Sequence, residues 1–139
     1  MNTIFIRTTL KKSRKQMERY VSKNTCMSPT ELDCMCGISS YILFLFFKKA
    51  GYNPTFCMND YHCFLRIEDY WIDLTLKQFN IHCPKIYFHK HPYTQNDGYG
   101  NIHRCKQTAK TLRKVRRLFR GWPPEQNPFK LSSLPKITA

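Results

Sequence analysis

Three side chains in this 139-residue sequence, Cys36, His62 and Asp73, have the types needed to cleave or transfer an acyl group. Cys36 lies in Cys34-Met35-Cys36-Gly37-Ile38-Ser39-Ser40, just ahead of the apolar run from Tyr41 to Phe47. A thiol in the first turn of a buried helix meets free amide hydrogens and the positive end of the helix dipole. Both favour thiolate and lower a pKa ordinarily near about 8.5. The same amides can hold an oxyanion once the sulfur attacks a carbonyl. The competing reading is a small buried hydrophobe, which free cysteine often is.

The base and its orienting acid come from His62-Cys63-Phe64-Leu65-Arg66-Ile67 and Tyr70-Trp71-Ile72-Asp73-Leu74-Thr75, two predicted strands about Glu68-Asp69. With a connection of even length, Ile67 faces Tyr70, Phe64 faces Asp73 and His62 faces Thr75. Side chains alternate with period two, so His62, Phe64 and Arg66 share a face with Trp71, Asp73 and Thr75. His62 and Asp73 are then diagonal neighbours, within reach of each other. A carboxylate on one ring nitrogen fixes the tautomer and stabilises the imidazolium after the thiol gives up its proton. The competing readings are a half-exposed strand histidine and a strand-end aspartate bonding nearby backbone. Asp is disfavoured inside strands, so its place between Ile72 and Leu74 asks for a reason.

The elements that must position these groups can be read outward from them. Ser28-Pro29-Thr30-Glu31 has the form of a capping box with proline at the first helical position, predicting a helix start near residue 29. Asp33 is a second cap that would put Cys36 in the first turn of the apolar helix. From Ile38 to Phe47 the chain is apolar on nearly every side, so this helix is buried; Gly51 ends it and Pro54 comes soon after. Short strands are expected at Ile4 to Ile6, Thr55 to Met58 and Ile86 to Phe88. Basic amphipathic helices are expected at about 8–22, with Leu10, Met17, Tyr20 and Val21 on one face, and at 104–120, edged by Leu112, Val115 and Phe119. An extended tail covers 121–139. The whole is expected to be one domain, its catalytic-like core at about 28–100.

Charge is unevenly distributed. Residues 1–27 hold seven basic and one acidic residue, 28–100 six and seven, and 101–139 ten and one, so the net +14 sits in the flanks. The segment carrying the candidate chemistry is near neutral. The flanks are solvated helix faces, or else they dock an acidic protein or another anionic partner, with nucleic acid ranked behind. Seven cysteines in no disulfide-framework spacing, and a first stretch without an apolar leader core, predict reduced thiols in a cytoplasm. The Tyr41 to Phe47 run is too short to span a bilayer. His89 and His91 would share a strand face, and Cys34, Cys36, Cys57, Cys63, Cys83 and Cys105 offer sulfur, but no paired Cys-x-x-Cys spacing appears. No metal and no cofactor are therefore expected.

The Cys helix, the His strand and Trp71-Ile72-Asp73-Leu74-Thr75, in that order over about residues 29–80, resemble the transglutaminase-like branch of the papain-like cysteine-nucleophile superfamily. Lys49-Ala50-Gly51-Tyr52 matches the helix exit, and Gln78-Phe79 extends the likeness. The resemblance implies an α+β fold of minimal papain-like type, a Cys-bearing helix packed on a small antiparallel sheet. It implies Cys36 as nucleophile, His62 as general base and then acid, and Asp73 as the orienting acid. Phe64 stands where the family often has Trp, and no side-chain oxyanion donor precedes Cys36. Cys34 is a rival nucleophile one residue further from the family's register. The expected activity is thiol-dependent chemistry on an amide through an acyl-enzyme, as a protease, protein glutamine deamidase or acyltransferase. A chain this small has little room for a substrate domain, so the expected substrate is a protein or peptide. The alternatives are a non-catalytic basic binding module of the same fold and a zinc-stabilised nucleic-acid binder.

Overall fold

The computed structural model describes residues 1–32, 35–95, 97–99 and 101–121; the second cap at Asp33, the rival Cys34 and the tail from 122 lie outside the described residues. Among the described residues three α-helices and a five-stranded antiparallel sheet make an α+β fold: α1 (Thr3–Asn24), α2 (Cys36–Lys49), β1 (Pro54–Met58), β2 (Cys63–Ile67), β3 (Tyr70–Asp73), β4 (Tyr87–His89), β5 (Thr108–Lys110) and α3 (Leu112–Leu118). The sheet order is β4-β3-β2-β1-β5.

Period-two alternation divides the sheet into two covered faces. Phe56, Cys63, Leu65, Ile67, Ile72 and Phe88 join the main core with α1 and α2. Phe64, Asp73 and Tyr87 point the other way, toward the irregular chain between β3 and β5, where Leu76, Cys83, Tyr93 and Ile102 form a smaller core around Tyr87. α2 packs on β1 and β2, and nearly every side chain from Ser39 to Phe47 is buried. Gly51, at φ +91, ends the helix by letting the Tyr52 N–H reach the Phe47 carbonyl at 2.9 Å.

The local expectations fail in three places. Residues Ile4 to Ile6 are helical, because Asn2 caps the Phe5 N–H at 2.9 Å and α1 begins at Thr3; Ile6 opens the stripe that Leu10, Met17 and Val21 continue. Ser28-Pro29-Thr30-Glu31 makes one turn, closed by the Leu32 N–H on the Ser28 carbonyl at 3.2 Å, and not a helix. Leu32 stops it at φ +53, a left-handed conformation costly for a branched residue, which its complete burial in the core offsets. The helix expected over 104–120 is confined to 112–118: Thr108–Lys110 pair instead with Phe56–Met58, and Thr111 starts α3 by accepting the Lys114 N–H. Charge and helix propensity over that stretch are outweighed by an open edge on β1 that needed covering.

Candidate active site

The β2–β3 register pairs Ile67 with Tyr70, Arg66 with Trp71 and Leu65 with Ile72 across the two-residue Glu68-Asp69 connection, with Glu68 at φ +53. The even count puts Asp73 on the face that the alternation predicts. Both strands are shorter than expected: β3 ends at Asp73, and β2 begins after His62. That explains an aspartate in a strand sequence. At the strand end its Oδ1 accepts the Thr75 backbone N–H at 2.9 Å, while Oδ2 remains free to face His62.

His62 occupies the last position before β2, at the end of the sheet. Asn59 builds the turn that holds it, its Oδ1 accepting the N–H groups of Tyr61 and His62, both at 2.9 Å. The Asn59 N–H donates to the His62 carbonyl at 3.0 Å, and its side-chain amide donates to the Ile102 carbonyl at 3.1 Å. His62 Nε2 stands 2.5 Å from Asp73 Oδ2, with both side chains buried. The edge of the Phe79 ring lies against the imidazole at 4.8 Å between centroids, and Tyr99 and then Tyr61 continue outward from Phe79. These rings keep bulk water off the His–Asp pair.

His103, a residue no spacing rule singled out, completes this cluster. Its Nε2 lies 2.8 Å from the same Asp73 Oδ2, and its Nδ1 accepts the Tyr93 backbone N–H at 3.0 Å. With Nδ1 an acceptor, the ring proton lies on Nε2, which donates to the carboxylate. Asp97, itself buried, sets the loop that delivers it, accepting the N–H groups of Tyr99 at 2.8 Å and Ile102 at 2.6 Å. Burial alone would raise the Asp73 pKa; His62 and His103 outweigh it and hold the carboxyl well below its ordinary range.

Cys36 is the first residue of α2, preceded by Met35, which has no capping oxygen to offer the helix amides. Its strongest partner is Cys63, whose thiol and backbone N–H both favour the Cys36 thiolate; burial opposes them, and the His62 ring adds to them, leaving the pKa lowered to about 4. Cys63, as the donor of the pair and buried, is pushed up. For His62, burial works against the charged form, but Asp73 and then Cys36 outweigh it and raise the pKa to about 9. With Nε2 committed to Asp73, Nδ1 is the ring nitrogen left to exchange a proton with the sulfur. Among the described residues Nδ1 has no hydrogen-bond partner. The structure thus brings Cys36, His62 and Asp73 to one end of the sheet.

The chain matches no family model, no curated protein and no solved structure.

Among the described residues one group has the composition of a metal site: His62, Asp73 and His103, whose ligand atoms lie within 4.8 Å of one another. An imidazole nitrogen and a carboxylate oxygen, each about 2.0 Å from a tetrahedral zinc, stand about 3.3 Å apart. Separations of 2.5 and 2.8 Å onto a single oxygen are proton-bridged contacts instead. His89 and His91 are exposed and line, with His82, Tyr87 and Tyr93, an open groove of about 400 Å³.

If His103 works through Asp73, His103→Leu should slow alkylation of Cys36 by iodoacetamide by about tenfold or more and cost about 2 kcal/mol, since the Tyr93 amide loses its acceptor. His103→Gln, which can still present a donor to Asp73, should recover most of the rate without recovering all of the stability. Rate and denaturant midpoint measured on both variants separate positioning from packing: equal rates in the two would overturn the role.

Proposed function

We propose that this chain is a cysteine-nucleophile enzyme of the transglutaminase-like, papain-like type, acting on a protein amide through a thioester intermediate. The observation that carries the reading is the buried 2.5 Å contact of Asp73 on His62 Nε2, with the Cys36 thiol acting on the same ring. The Cys36 thiolate attacks the carbonyl carbon, forming a C–S bond as negative charge develops on oxygen near the α2 N-terminus. The His62 imidazolium gives its proton to the departing nitrogen as the C–N bond breaks. Water or an amine then attacks the thioester; His62 takes its proton, the C–S bond breaks, and the product leaves as acid or new amide. Asp73 stays ionised throughout and orients the ring.

The chain is expected to serve a protein or peptide substrate and to work without metal or cofactor. Among the described residues no helix is long and apolar enough to cross a membrane. A chloroacetamide probe followed by intact-mass analysis tests the reading: one adduct on Cys36, absent in Cys36→Ala and strongly reduced in His62→Ala, is the expected result. Indifferent labelling of several cysteines would remove the nucleophile. The reaction is then assigned from a target protein's mass, with a gain of about one dalton for deamidation, cleavage for proteolysis and a larger addition for acyl transfer.

A further inference from the structure

An open groove of about 330 Å³ lies along α3, lined by Met58 of β1, Lys110 of β5, and Lys114, Arg117 and Leu118 of α3. Its apolar part comes from Met58 and Leu118, three cations surround it, and among the described residues no acidic one lines it. None of the three cations has an ion pair among the described residues. The groove along α1 differs: Glu18 is among its lining residues and is paired there with Arg14 and Lys85.

Two connections join the α3 groove to the nucleophile. Met58 pairs across the β1–β2 ladder with Cys63, the neighbour of His62 whose thiol and amide favour the Cys36 thiolate. Phe119, just after α3, stacks on Tyr41 of α2 with centroids 4.7 Å apart and packs so closely on Gly37 that a β-carbon there would come within 3.2 Å of its ring. The wall of the groove and the first turn of the nucleophile helix are therefore one packed unit. Beside it, β5 is an outer strand of the sheet, with Thr108 and Ala109 exposed.

We propose that this groove binds the substrate, and that the substrate is an acidic polypeptide segment carrying an aliphatic side chain between glutamates or aspartates close to the acyl group that Cys36 attacks. The proposal rests on the acyl-enzyme reading for its link to the reaction, though not for the binding itself. Apolar floor and cationic rim match a side chain seated between carboxylates, and an outer strand offers backbone partners to an extended peptide. A single-stranded nucleic acid is the poorer fit, because among the described residues no aromatic ring lines the groove to stack its bases.

The test uses the full chain carrying Cys36→Ala, so that binding is read without turnover, and a fluorescein-labelled peptide with leucine and glutamine set among glutamates. Anisotropy at low salt should show saturable binding that weakens as salt rises. In Lys114→Glu/Arg117→Glu, both exposed positions, affinity for this peptide should fall at least tenfold, while a peptide with lysine in place of each glutamate should gain affinity. Far-ultraviolet circular dichroism and the thermal midpoint check the fold of the double variant, and Lys110→Glu provides a second variant. Equal affinity of the parent and charge-reversed proteins for the acidic peptide would overturn the groove, as would tighter binding of oligothymidylate than of peptide. Charge-dependent peptide binding together with a Cys36 that chloroacetamide does not select would uphold the groove and remove the acyl-transfer reading alone.

Discussion

Replacing His62 with alanine is expected to slow alkylation of Cys36 at pH 6 by about a hundredfold and any turnover by about a thousandfold or more. With the sulfur lowered to about 4 and the imidazole raised to about 9, the resting pair between those values is thiolate and imidazolium. An ordinary thiol near about 8.5 loses tenfold in reactive form for each pH unit below that value. Cys36 should instead react with iodoacetamide at a nearly constant rate from about pH 5 to pH 8, losing rate only as the pH drops toward its own pKa. In His62→Ala the Cys63 donors remain but the cation does not, so the lower limb should move up in pH. Turnover has an upper limb as well: above about 9 His62 loses the proton that it must deliver to the leaving nitrogen, and activity should decline. A wild-type alkylation rate still rising tenfold per unit through pH 8 would separate the sulfur from the ring.

The second large effect is expected at Arg14, far from the reacting atoms in sequence. Sequence reading places it among the solvated charges of a basic helix, yet its side chain is 3% exposed. Nη1 donates to the Leu74 carbonyl at 2.6 Å, Nη2 to the Thr30 carbonyl, and Nε to Glu18 at 3.0 Å. Burial lowers its pKa, with Glu18 and then Asp73 opposing. One guanidinium thereby ties the residue after Asp73 to the turn that leads toward Cys36. Arg14→Met would leave two carbonyls without their donor at roughly 1 to 3 kcal/mol each, so a loss of about 3 kcal/mol and a thermal midpoint lower by about 10 °C are expected. Arg14→Lys keeps the charge but not the fork of donors, and should recover less than half. Urea and thermal denaturation read the stability, and the iodoacetamide rate should fall with it as the Cys36 and Asp73 segments lose their common anchor. An unchanged midpoint in Arg14→Met would mean that the arginine is not buried as described.

The amino-acid sequence by itself determined the parts of this protein that depend on local periodicity. A seven-residue apolar run from Tyr41 to Phe47, with Gly51 soon after, reads as a buried helix, and a two-residue turn between alternating strands fixes which side chains share a face; hence Cys36 at a helix start and His62 diagonal to Asp73 were legible. The class also came from the sequence, since one apolar helix and several short alternating strands make α+β. Contacts between distant segments decided the rest. His103 meets Asp73 from thirty residues away, through a loop shaped by Asp97 and Asn59, and nothing in its neighbours marks it. Arg14 is buried because the helix stripe that carries it faces two carbonyls that need a donor. Residues 108–110 became strand because β1 had an edge to cover, and Ser28 to Glu31 stopped at one turn where Leu32 entered the core. In each case burial of a side chain, polar or apolar, or an open strand edge, set by the tertiary fold, outweighed what the local residues favoured.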